Sequence, residues 1–489
     1  MADKQEHLEA ITSEGKRPWA SKIIAILLIV LLFVPGIAKL FNINSPNYSK
    51  EPLQPEPEWS SLNLATIPGA FDNWWKDNFP FRSVLVSGYN GLMDHVFQTS
   101  GNESVLVGQE GWYYYAETTR QAVNAHDLTV KDISRIANTL NIIKTQIESE
   151  GMSFQAFIIP NKATVYPEYL PDRFEPVNDE SMLEQLYNEL SWAPNMLEIL
   201  ESEKTAQKEV IYQEADSHWN RLGAYAAYET IVQSFDSNDE TIDYGLAIVS
   251  DGWESDLTNM LYPLAEISDE QVVFAEYERA YIPLKPMQTY EDVDIVTMSS
   301  GSDKSLLLYR DSFANLLIDL LSNHYSSARY NRALPFHLEF VQDSDAYDYV
   351  GVEIVERNLD YLVQQTPILV VDRMTDAQMV AETAVDVELS NYSLTVNSGR
   401  AFINAEYADQ TLGAEIEQVL VEVEGELYPA FTIYEDSEIT DKTWTNGFSI
   451  YLDAASLGLD ENSLHTEIID SIYYAVDTAW YQAELDYAR

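Results

Sequence analysis

An aspartate and a histidine two residues apart, Asp216 and His218, stand just before a segment with helical spacing of apolar residues. In an extended segment, positions i and i+2 point to the same side, so one stretch of backbone can present a carboxylate and an imidazole together. A carboxylate beside a histidine fixes the tautomer of the ring and stabilises its protonated form, as a general base requires. Asn220 is placed to cap the following helix. The alternative without a catalytic role is that the two residues form an ion pair at the surface.

A serine at the end of an apolar run is the second candidate for chemistry. Residues 305–309 (SLLLY) have the composition of a short buried strand, and leucines at helical spacing follow Phe313. Ser312 would therefore lie where a strand ends and a helix begins, and free backbone N–H groups there favour a developing negative charge. A serine that only caps the helix is the alternative. Together the three positions predict a triad, with Ser312 as nucleophile, His218 as base and Asp216 as the orienting carboxylate.

These segments resemble the SGNH-like, alginate O-acetyltransferase type of protein, and more closely the bacterial group named for its DHHW motif. The resemblance also rests on four further segments: FDNWWKDNFPFRSVLVSGYNGL (71–92), VLVGQEGWYYY (105–115), FIIPNKATVYPEYLPDRF (157–174) and YVGVEIVERNLDYL (349–362). Two positions depart from the family pattern. Ser217 replaces the first histidine of DHHW, and Arg310 stands where SGNH proteins carry the glycine of Gly-Asp-Ser. The turn that presents Ser312 must then form without that glycine.

The resemblance implies an SGNH-like α/β fold with a permuted motif order, because the Asp-His pair precedes the serine. It implies an extracytoplasmic O-acyltransferase, most naturally an O-acetyltransferase, that modifies an envelope or secreted polysaccharide. A membrane-bound O-acyltransferase would then supply the acyl groups. Two other functions stay open at this point. One is a carbohydrate esterase of the same fold, with water as acceptor, and the other is a non-catalytic polysaccharide-binding scaffold.

Four more residues are candidates for contact with the substrate. Asn161 and Lys162 follow an apolar run, and they could donate to an oxyanion and contact an acyl donor or anionic glycan, respectively. A turn with a solvated lysine is the alternative. Trp219 and Asp311 adjoin the pair and the serine. A metal site would need a third ligand such as Asp311, and no His/Asp cluster of ligand spacing is present in the sequence, so we predict neither metal nor cofactor.

Charge and composition exclude several classes of function. The 489 residues include 28 basic and 80 acidic ones, for a formal net charge of −52. Such a chain repels nucleic acids and anionic lipid surfaces, so nucleic-acid binding is excluded as a main role. The chain has no cysteine, which excludes disulfides, thiolate zinc sites and a cysteine nucleophile. Its length is enough for two domains.

The N-terminal region has the pattern of a membrane anchor. Residues 1–22 are predicted to be a cytoplasmic tail, and residues 23–41 a transmembrane helix, whose uncharged apolar run (23–38) lies between Lys22 and Lys39. The excess of basic residues before the apolar run places the N-terminus inside and the bulk of the chain outside. A cleaved signal peptide, with secretion of the protein, is the alternative. Residues 42–60 are rich in proline and polar residues, and we predict a linker there.

Two domains are predicted beyond the linker. Residues 61–380 alternate strand and helix patterns, which favours a parallel sheet covered by helices on both faces. Its predicted strands lie at residues 154–159, 210–212, 306–309 and 350–354. Residues 385–489 contain short alternating runs broken by Gly, Asn and Asp, and predict a small β-sandwich. This β-domain is a candidate for glycan binding, through stacking of sugars on Tyr428, Trp444 and Trp480, although such aromatic residues can equally form its core.

Overall fold

A computed structural model describes most of the chain. The described residues are 18–41, 43–44, 53–59, 62–124, 128–177, 180–264, 267–342, 347–374, 380–383, 386–435, 445–463 and 467–487. In chain order, the α-helices are α1 (Pro18–Leu40), α2 (Ile67–Asn78), α3 (Arg82–Phe97), α4 (Thr119–Ala122), α5 (Val130–Ser149), α6 (Lys162–Val165), α7 (Met182–Glu189), α8 (Met196–Ala206), α9 (Arg221–Phe235), α10 (Asp256–Leu261), α11 (Leu317–His324), α12 (Glu339–Gln342), α13 (Tyr361–Gln364) and α14 (Gln410–Glu415). The strands are β1 (Val105–Val107), β2 (Tyr113–Tyr115), β3 (Ser153–Ile159), β4 (Ala247–Trp253), β5 (Asp269–Phe274), β6 (Ile282–Pro283), β7 (Asp294–Met298), β8 (Ser302–Tyr309), β9 (Tyr325–Asn331), β10 (Tyr349–Val355), β11 (Glu382–Thr383), β12 (Val387–Asn397), β13 (Arg400–Tyr407), β14 (Gln418–Val423), β15 (Glu426–Glu435), β16 (Thr445–Asp453), β17 (Ser471–Val476) and β18 (Ala479–Tyr487).

The chain divides into two compact units. The smaller unit consists of Met1–Val107 and Glu254–Ser268, and the larger of Gly108–Trp253 and Asp269–Arg489. Within the smaller unit, Lys22–Leu40 is long and apolar enough to cross a membrane, a test that a signal sequence also passes. This agrees with the apolar segment expected from the sequence. The first 17 residues and most of the predicted linker lie outside the described residues.

The central element of the larger unit is a six-stranded sheet in the order β3-β10-β8-β9-β7-β6. The first four strands run parallel, and β7 and β6 add to one side in antiparallel fashion. Strand β10 is buried along its whole length, as expected for a strand covered on both faces. Helices α5 and α9 both contact β3. This is the α/β architecture of an SGNH-like fold, and three adjacent parallel strands, β3, β10 and β8, end at the same edge.

Local sequence signals explain where the main helices begin and end. Thr129 and Asp132 form a reciprocal capping box at the start of α5. Gly151, at φ +88°, stands two residues after its end, in a backbone conformation that glycine adopts without strain. Asn220 caps α9 by accepting hydrogen bonds from the N–H groups of Leu222 and Gly223. The cap predicted at Asn220 is therefore present.

One predicted strand is absent from the sheet. Residues 210–212 do not join it, and Tyr212 instead forms an isolated bridge with Trp219. Two further backbone hydrogen bonds, from Gln213 to His218 and from Asn220 to Ile211, close the same loop. An apolar triplet is too short to distinguish a sheet strand from one side of a tight loop. The prediction of a parallel strand here was wrong, and the segment serves to shape the loop that holds the Asp-His pair.

The C-terminal region is a closed barrel-like sheet, and the predicted two-sheet sandwich was wrong in that respect. Its strands follow the order β18-β12-β13-β16-β15-β14-β17, and β17 pairs with β18 to close the ring of seven. The short strand β11 adds to β18. Alternation of apolar and polar residues is common to sandwiches and small barrels, because both bury one face of each strand. Closure depends on the pairing of β17 with β18, which the alternation does not specify.

The barrel and the parallel sheet share apolar contacts. One buried cluster includes Ile136 of α5, Ile354 of β10, and Phe431 and Ile450 of the barrel. Arg135, itself buried, extends from α5 and donates hydrogen bonds to the backbone carbonyls of the segment around Gly413, Ala414 and Ile416. The boundary near residue 385 stays a prediction, and that residue lies outside the described part of the chain.

Candidate active site

Ser312 lies three residues after the end of β8, at the start of a short 3₁₀ turn (Phe313–Leu316) that leads into α11. Its backbone is at φ −73° and ψ −20°, an ordinary right-handed conformation. The side chain of Asp311 stabilises the turn, because its Oδ1 accepts a hydrogen bond from the Phe313 N–H at 2.8 Å. Its Oδ2 accepts hydrogen bonds from the N–H of Val355 and the amide of Asn358. Asp311 therefore joins the end of β8 to the end of β10.

The imidazole of His218 lies between the carboxylate of Asp216 and the hydroxyl of Ser312. Its Nδ1 is 2.7 Å from Asp216 Oδ1, and its Nε2 is 2.8 Å from Ser312 Oγ. The Asp216 side chain is 4% exposed and that of His218 is 16% exposed. Of these two side chains, the imidazole is the one that solvent reaches. Ser217 Oγ lies 3.3 Å from His218 Nδ1. In this arrangement an imidazole can remove a proton from a serine, while a buried carboxylate stabilises the charge it acquires.

Asp216 receives two further hydrogen bonds that hold its carboxylate in place. The His218 N–H donates to Oδ1 at 3.0 Å. The indole of Trp253, at the end of β4, donates to Oδ2 at 3.1 Å. No local sequence pattern marks Trp253, because 34 residues separate it from His218 along the chain. A single tryptophan in a hairpin carries no local signal of such a contact.

Trp219 is fully buried, so it is not positioned to contact a substrate. Its indole N–H donates to the backbone carbonyl of Phe313 at 2.9 Å. The Phe313 ring packs against His218, with centroids 4.8 Å apart, and against Trp219 at 5.4 Å. These contacts of Trp219 and Phe313, called the clip below, connect the loop that carries the histidine to the turn that carries the serine. The candidate role of Trp219 in substrate binding is thus replaced by one in positioning.

Lys162 is also buried, at the start of α6 beyond the end of β3. Its ammonium group donates to the backbone carbonyls of Gln213, Glu214 and Asp216 at 2.6–3.0 Å. It also lies 5.1 Å from the centroid of the Tyr114 ring. Because these groups surround the charge, Lys162 holds the loop of the Asp-His pair, and it does not face an acyl donor or glycan as the sequence suggested.

Asn161, between β3 and α6, is fully buried. Its backbone N–H donates to Glu356 at 2.9 Å, and its side-chain oxygen accepts a hydrogen bond from Arg357 at 3.2 Å. Its Nδ2 has no hydrogen-bond partner among the described residues. The Arg357 guanidinium also lies over the ring of Phe313, at 5.1 Å from the centroid. Asn161 therefore connects to the serine turn through Arg357.

Arg310, at the position of the family glycine, is buried, and its hydrogen bonds stabilise the turn. Its guanidinium donates to the carbonyls of Asp311, Tyr290 and Asp292 and to the side chain of Asn315. Ser312 and its neighbours have no left-handed backbone, so the turn does not need a glycine there. Burial lowers the pKa of the Arg310 guanidinium from its usual value.

Two buried glutamates lie under the site, at the end of β10. Glu353 accepts a hydrogen bond from the Asp311 N–H at 3.0 Å, and Glu356 accepts one from Thr164 at 2.7 Å in addition to that from Asn161. Burial raises the pKa of Glu353 well above its usual value and also raises the pKa of Glu356. A charged residue inside the apolar run YVGVEIV is the sequence signal that could have marked Glu353.

A cleft with a volume of about 930 Å³ opens between the helices of the sheet domain and the barrel. Arg357 and Glu356 belong to its lining, together with Tyr434 and Asn446 of the barrel and Arg120 from α4. Arg357 also contacts Phe313 and Asn161, whereas Ser312, His218 and Asp216 do not line the cleft. Its mixed lining of cations, carboxylates, amides and a tyrosine suits a ligand with many hydrogen-bonding groups.

Of the three aromatic residues proposed for sugar binding, the structure describes Tyr428 and Trp480. Tyr428 is half-buried and lines a separate cavity of about 470 Å³ with Asp372 and Arg373. Trp480 is half-buried on β18, opposite Ala475 of β17. Trp444 lies outside the described residues.

Residues 105–245 match a family described as the SGNH hydrolase-like domain of the acetyltransferase AlgX. This segment holds Asp216, His218, Asn161 and Lys162, and it ends before Ser312. It covers under a third of the chain. The resemblance inferred from the sequence is thereby confirmed, and it identifies an acetyltransferase-type SGNH-like segment. No curated protein shows significant sequence similarity to the chain.

Several solved structures are similar to parts of the chain. The O-acetyltransferase domain of Pseudomonas putida AlgJ is 18% identical, covers 52% of this chain and 92% of its own, and has a TM-score of 0.33. A DHHW family protein from Eubacterium siraeum is 12% identical, with 46% of this chain and 85% of its own covered and a TM-score of 0.35. Pseudomonas aeruginosa AlgX is 12% identical, with 75% and 94% covered and a TM-score of 0.35. TM-scores this low do not by themselves establish a common activity.

Proposed function

We propose that the chain is a membrane-anchored O-acetyltransferase that modifies a polysaccharide outside the cytoplasm through Ser312, His218 and Asp216. The observation that supports this most is the continuous hydrogen-bonded series from Asp216 through His218 to Ser312, with separations of 2.7 and 2.8 Å. The acetyltransferase description of the matched family supports the choice of acyl group.

In the first half-reaction, Ser312 Oγ attacks the carbonyl carbon of an acetyl donor while His218 Nε2 takes the hydroxyl proton. The tetrahedral intermediate collapses, the bond to the leaving group breaks, and the leaving group takes the proton from His218. Ser312 is then acetylated and His218 is neutral again. Asp216 stabilises the imidazolium that exists between these steps, and it keeps Nδ1 protonated so that Nε2 is the basic atom.

The negative charge on the intermediate requires donors that are already in place. We assign this role to the Ser312 N–H at the start of the 3₁₀ turn and to Nδ2 of Asn161. The unpaired state of Nδ2 among the described residues supports the assignment, since a buried donor without a partner costs stability unless a ligand uses it. Loss of one such donor typically slows the chemical step by about 10²–10³-fold.

In the second half-reaction, a hydroxyl of the acceptor polysaccharide attacks the acetyl carbon and His218 takes its proton. Collapse breaks the bond to Ser312 Oγ, which recovers a proton from His218, and the acetyl ester remains on the sugar. The cleft of about 930 Å³ beside Arg357 supports an extended acceptor. Sugar contact by Tyr428, Trp480 and Trp444 on the β-domain stays part of the proposal.

The location and the donor belong to the proposal as well. The apolar helix Lys22–Leu40 supports a single membrane span with the catalytic unit outside, and removal of that helix as a signal peptide would yield a secreted enzyme. A membrane-bound O-acyltransferase is the partner that we expect to deliver acetyl groups across the bilayer. The proposed domains are residues 61–380 for catalysis and 385–489 for the β-domain.

Mass spectrometry of an acetylated enzyme tests the proposal directly. Brief incubation with an activated acetyl ester should add one acetyl group to the tryptic peptide between Arg310 and Arg329. That peptide holds four serines, so fragment ions must place the acetyl group on Ser312. Ser312→Ala should abolish this adduct, and His218→Ala should slow its formation by about 10²–10⁴-fold. Acetyl on another residue, or normal turnover by Ser312→Ala, would refute the mechanism.

Ser217→Ala is the matched control, since it removes a neighbouring hydroxyl while the 2.7 Å contact between Asp216 and His218 remains. Its rate of acetylation should stay close to that of the wild type. Addition of a glycan acceptor separates transfer from hydrolysis: acetylated glycan supports a transferase, and acetate alone supports the esterase alternative. If no adduct forms while the protein binds glycan, the non-catalytic scaffold is the better description.

A further inference from the structure

Helix α3 of the smaller unit buries polar side chains and exposes apolar ones, the reverse of an ordinary surface helix. Its buried side chains are Ser83, Asn90 and Asp94. The polar face is satisfied inside the unit, because Asn90 donates to the Leu261 carbonyl at 2.7 Å and Asp94 accepts a hydrogen bond from the Tyr262 hydroxyl. The helix is thus fixed in this orientation by its polar groups.

The outward face of α3 is an apolar stripe. Leu85, Tyr89, Leu92 and Val96 are 57%, 54%, 51% and 64% exposed, respectively. Their spacing of four, three and four residues places all four side chains on one side of the helix. Contiguous exposed apolar surface is unfavourable in water and marks a surface that another apolar medium covers.

The neighbouring helix α2 supplies a cluster of aromatic side chains. It has no fully buried residue, and Phe71 stacks on Trp75 with centroids 5.6 Å apart. Trp59, from the preceding segment, packs edge-on against Trp74 at 6.0 Å. Tryptophan is favoured at the boundary between lipid tails and headgroups, since the ring is apolar and its N–H can still be hydrated.

A contact ties this cluster to the end of the apolar helix α1. The ammonium group of Lys39, at the C-terminal end of α1, lies 5.3 Å from the centroid of the Trp74 ring. A lysine at that position marks where a membrane-spanning helix would meet the headgroups. Helix α3 begins only four residues after the end of α2. The apolar stripe therefore continues from an element that is itself suited to the bilayer.

We infer that the stripe of α3 (Leu85, Tyr89, Leu92 and Val96) and the aromatic cluster of α2 rest in the interfacial layer of a lipid bilayer. The helix lies along the membrane surface, with its apolar side about 5–10 Å into the boundary between headgroups and acyl chains. The chain carries a net charge of −52, so attraction to anionic headgroups cannot hold this surface. The matching lipid is therefore a zwitterionic one such as phosphatidylcholine.

Single cysteines allow a direct test in the full-length protein, since the chain has none of its own. Leu92→Cys carries an environment-sensitive fluorophore, and the protein is reconstituted in phosphatidylcholine nanodiscs. Doxyl-labelled lipids should quench this fluorophore, more strongly when the doxyl group is shallow than when it is deep, and aqueous iodide should not. Glu103→Cys in the same unit and Leu246→Cys, just before β4, are exposed controls, and there we expect quenching by iodide and not by doxyl lipid.

Three results would overturn the inference. Free quenching of position 92 by iodide would show that the stripe faces water. Protection from iodide without quenching by lipid, with disulfide cross-linking between copies at unlabelled Leu92→Cys, would show that a second copy covers the stripe. Protection that appears only after a membrane protein partner is added would equally replace the bilayer by that partner. None of these results depends on acetyl transfer.

Discussion

At the scale of single residues, the buried charges around the site act mainly on the backbone. Lys162, Arg310 and Asp311 each donate to or accept from main-chain groups of the loops that carry His218 and Ser312. Such bonds specify the positions of these loops in addition to their apolar packing. Their cost of burial is offset only while the partner groups stay paired.

Lys162→Met should destabilise the protein and slow acetylation together. The substitution leaves carbonyls of Gln213, Glu214 and Asp216 without their donor, at about 1–3 kcal/mol for each that water cannot reach. The loop of His218 then loses its anchor. We expect a lower melting temperature by calorimetry and a lower rate of acetylation with the activated ester. Lys304→Met, which removes an exposed lysine paired with Asp348, should change neither quantity much.

Glu353 should make stability depend on pH. Burial raises its folded-state pKa well above the usual 4.5, so the folded protein holds this proton more tightly than the unfolded chain does. Its contribution to stability is therefore complete below about pH 4.5 and is lost as pH rises through the folded-state pKa. Glu353→Gln keeps a neutral acceptor for the Asp311 N–H.

Urea unfolding between pH 5 and 9 measures this effect. The free energy of unfolding of Glu353→Gln should fall less with rising pH than that of the wild type. Glu388→Gln, on the exposed side of β12, should follow the wild-type curve. Parallel curves for wild type and Glu353→Gln would mean that Glu353 is ionised in the folded protein throughout this range.

At the scale of elements, the site lies where three parallel strands end. Strand β3 leads to Asn161, β8 to Ser312 and β10 to Glu356, and the order β3-β10-β8 makes these ends neighbours. The carboxyl edge of a parallel sheet is a common place for sites, because loops from several strands converge there. The Asp-His loop comes from outside the sheet, so its position depends on contacts with the serine turn.

Trp219→Phe tests the clip between that loop and the serine turn. Phenylalanine keeps the aromatic packing but cannot donate to the Phe313 carbonyl, which costs about 1–3 kcal/mol if the carbonyl stays dry. Misplacement of His218 should slow acetylation by up to roughly 10²-fold. Trp192→Phe is the control. It removes an indole hydrogen bond to Asn141, which is not among the contacts between the His218 loop and the serine turn, and it should leave the rate unchanged. Equal rates for both variants would contradict a positioning role of Trp219.

At the scale of the larger unit, the barrel and the sheet domain share one buried apolar cluster and are joined by Arg135. Arg135→Met should lower the melting temperature of the whole chain, because the carbonyls of Gly413, Ala414 and Ile416 lose their donor.

A barrel fragment that begins at residue 386 would lack α5. Its folding, followed by circular dichroism, tests whether the predicted β-domain is independent.

Exposed Arg373→Ala is the control for Arg135→Met, since it breaks a surface contact with Glu426. Its melting temperature should stay near that of the wild type, as is usual for exposed pairs. If Arg135→Met had the same melting temperature as this control, the hydrogen bonds from Arg135 to the barrel would contribute little to stability.

The sequence by itself determined the features that depend on local pattern. Apolar runs marked β3, β8 and β10, Asn220 and Gly151 marked helix ends, and spacing singled out the Asp-His pair and the serine as candidates. These features follow from side-chain periodicity and capping, which involve residues close together in the chain.

Only the tertiary structure decided which polar group meets which. Lys162 binds a loop about 50 residues further along the chain, Trp253 approaches Asp216 from a hairpin, and Glu353 lies under Asp311. The pairing of β18 with β12 in the barrel and the outward turn of the apolar face of α3 are likewise set by contacts between segments distant in sequence. Local pattern can fix the face that an element buries, but not the partner that covers it, because several partners satisfy the same pattern.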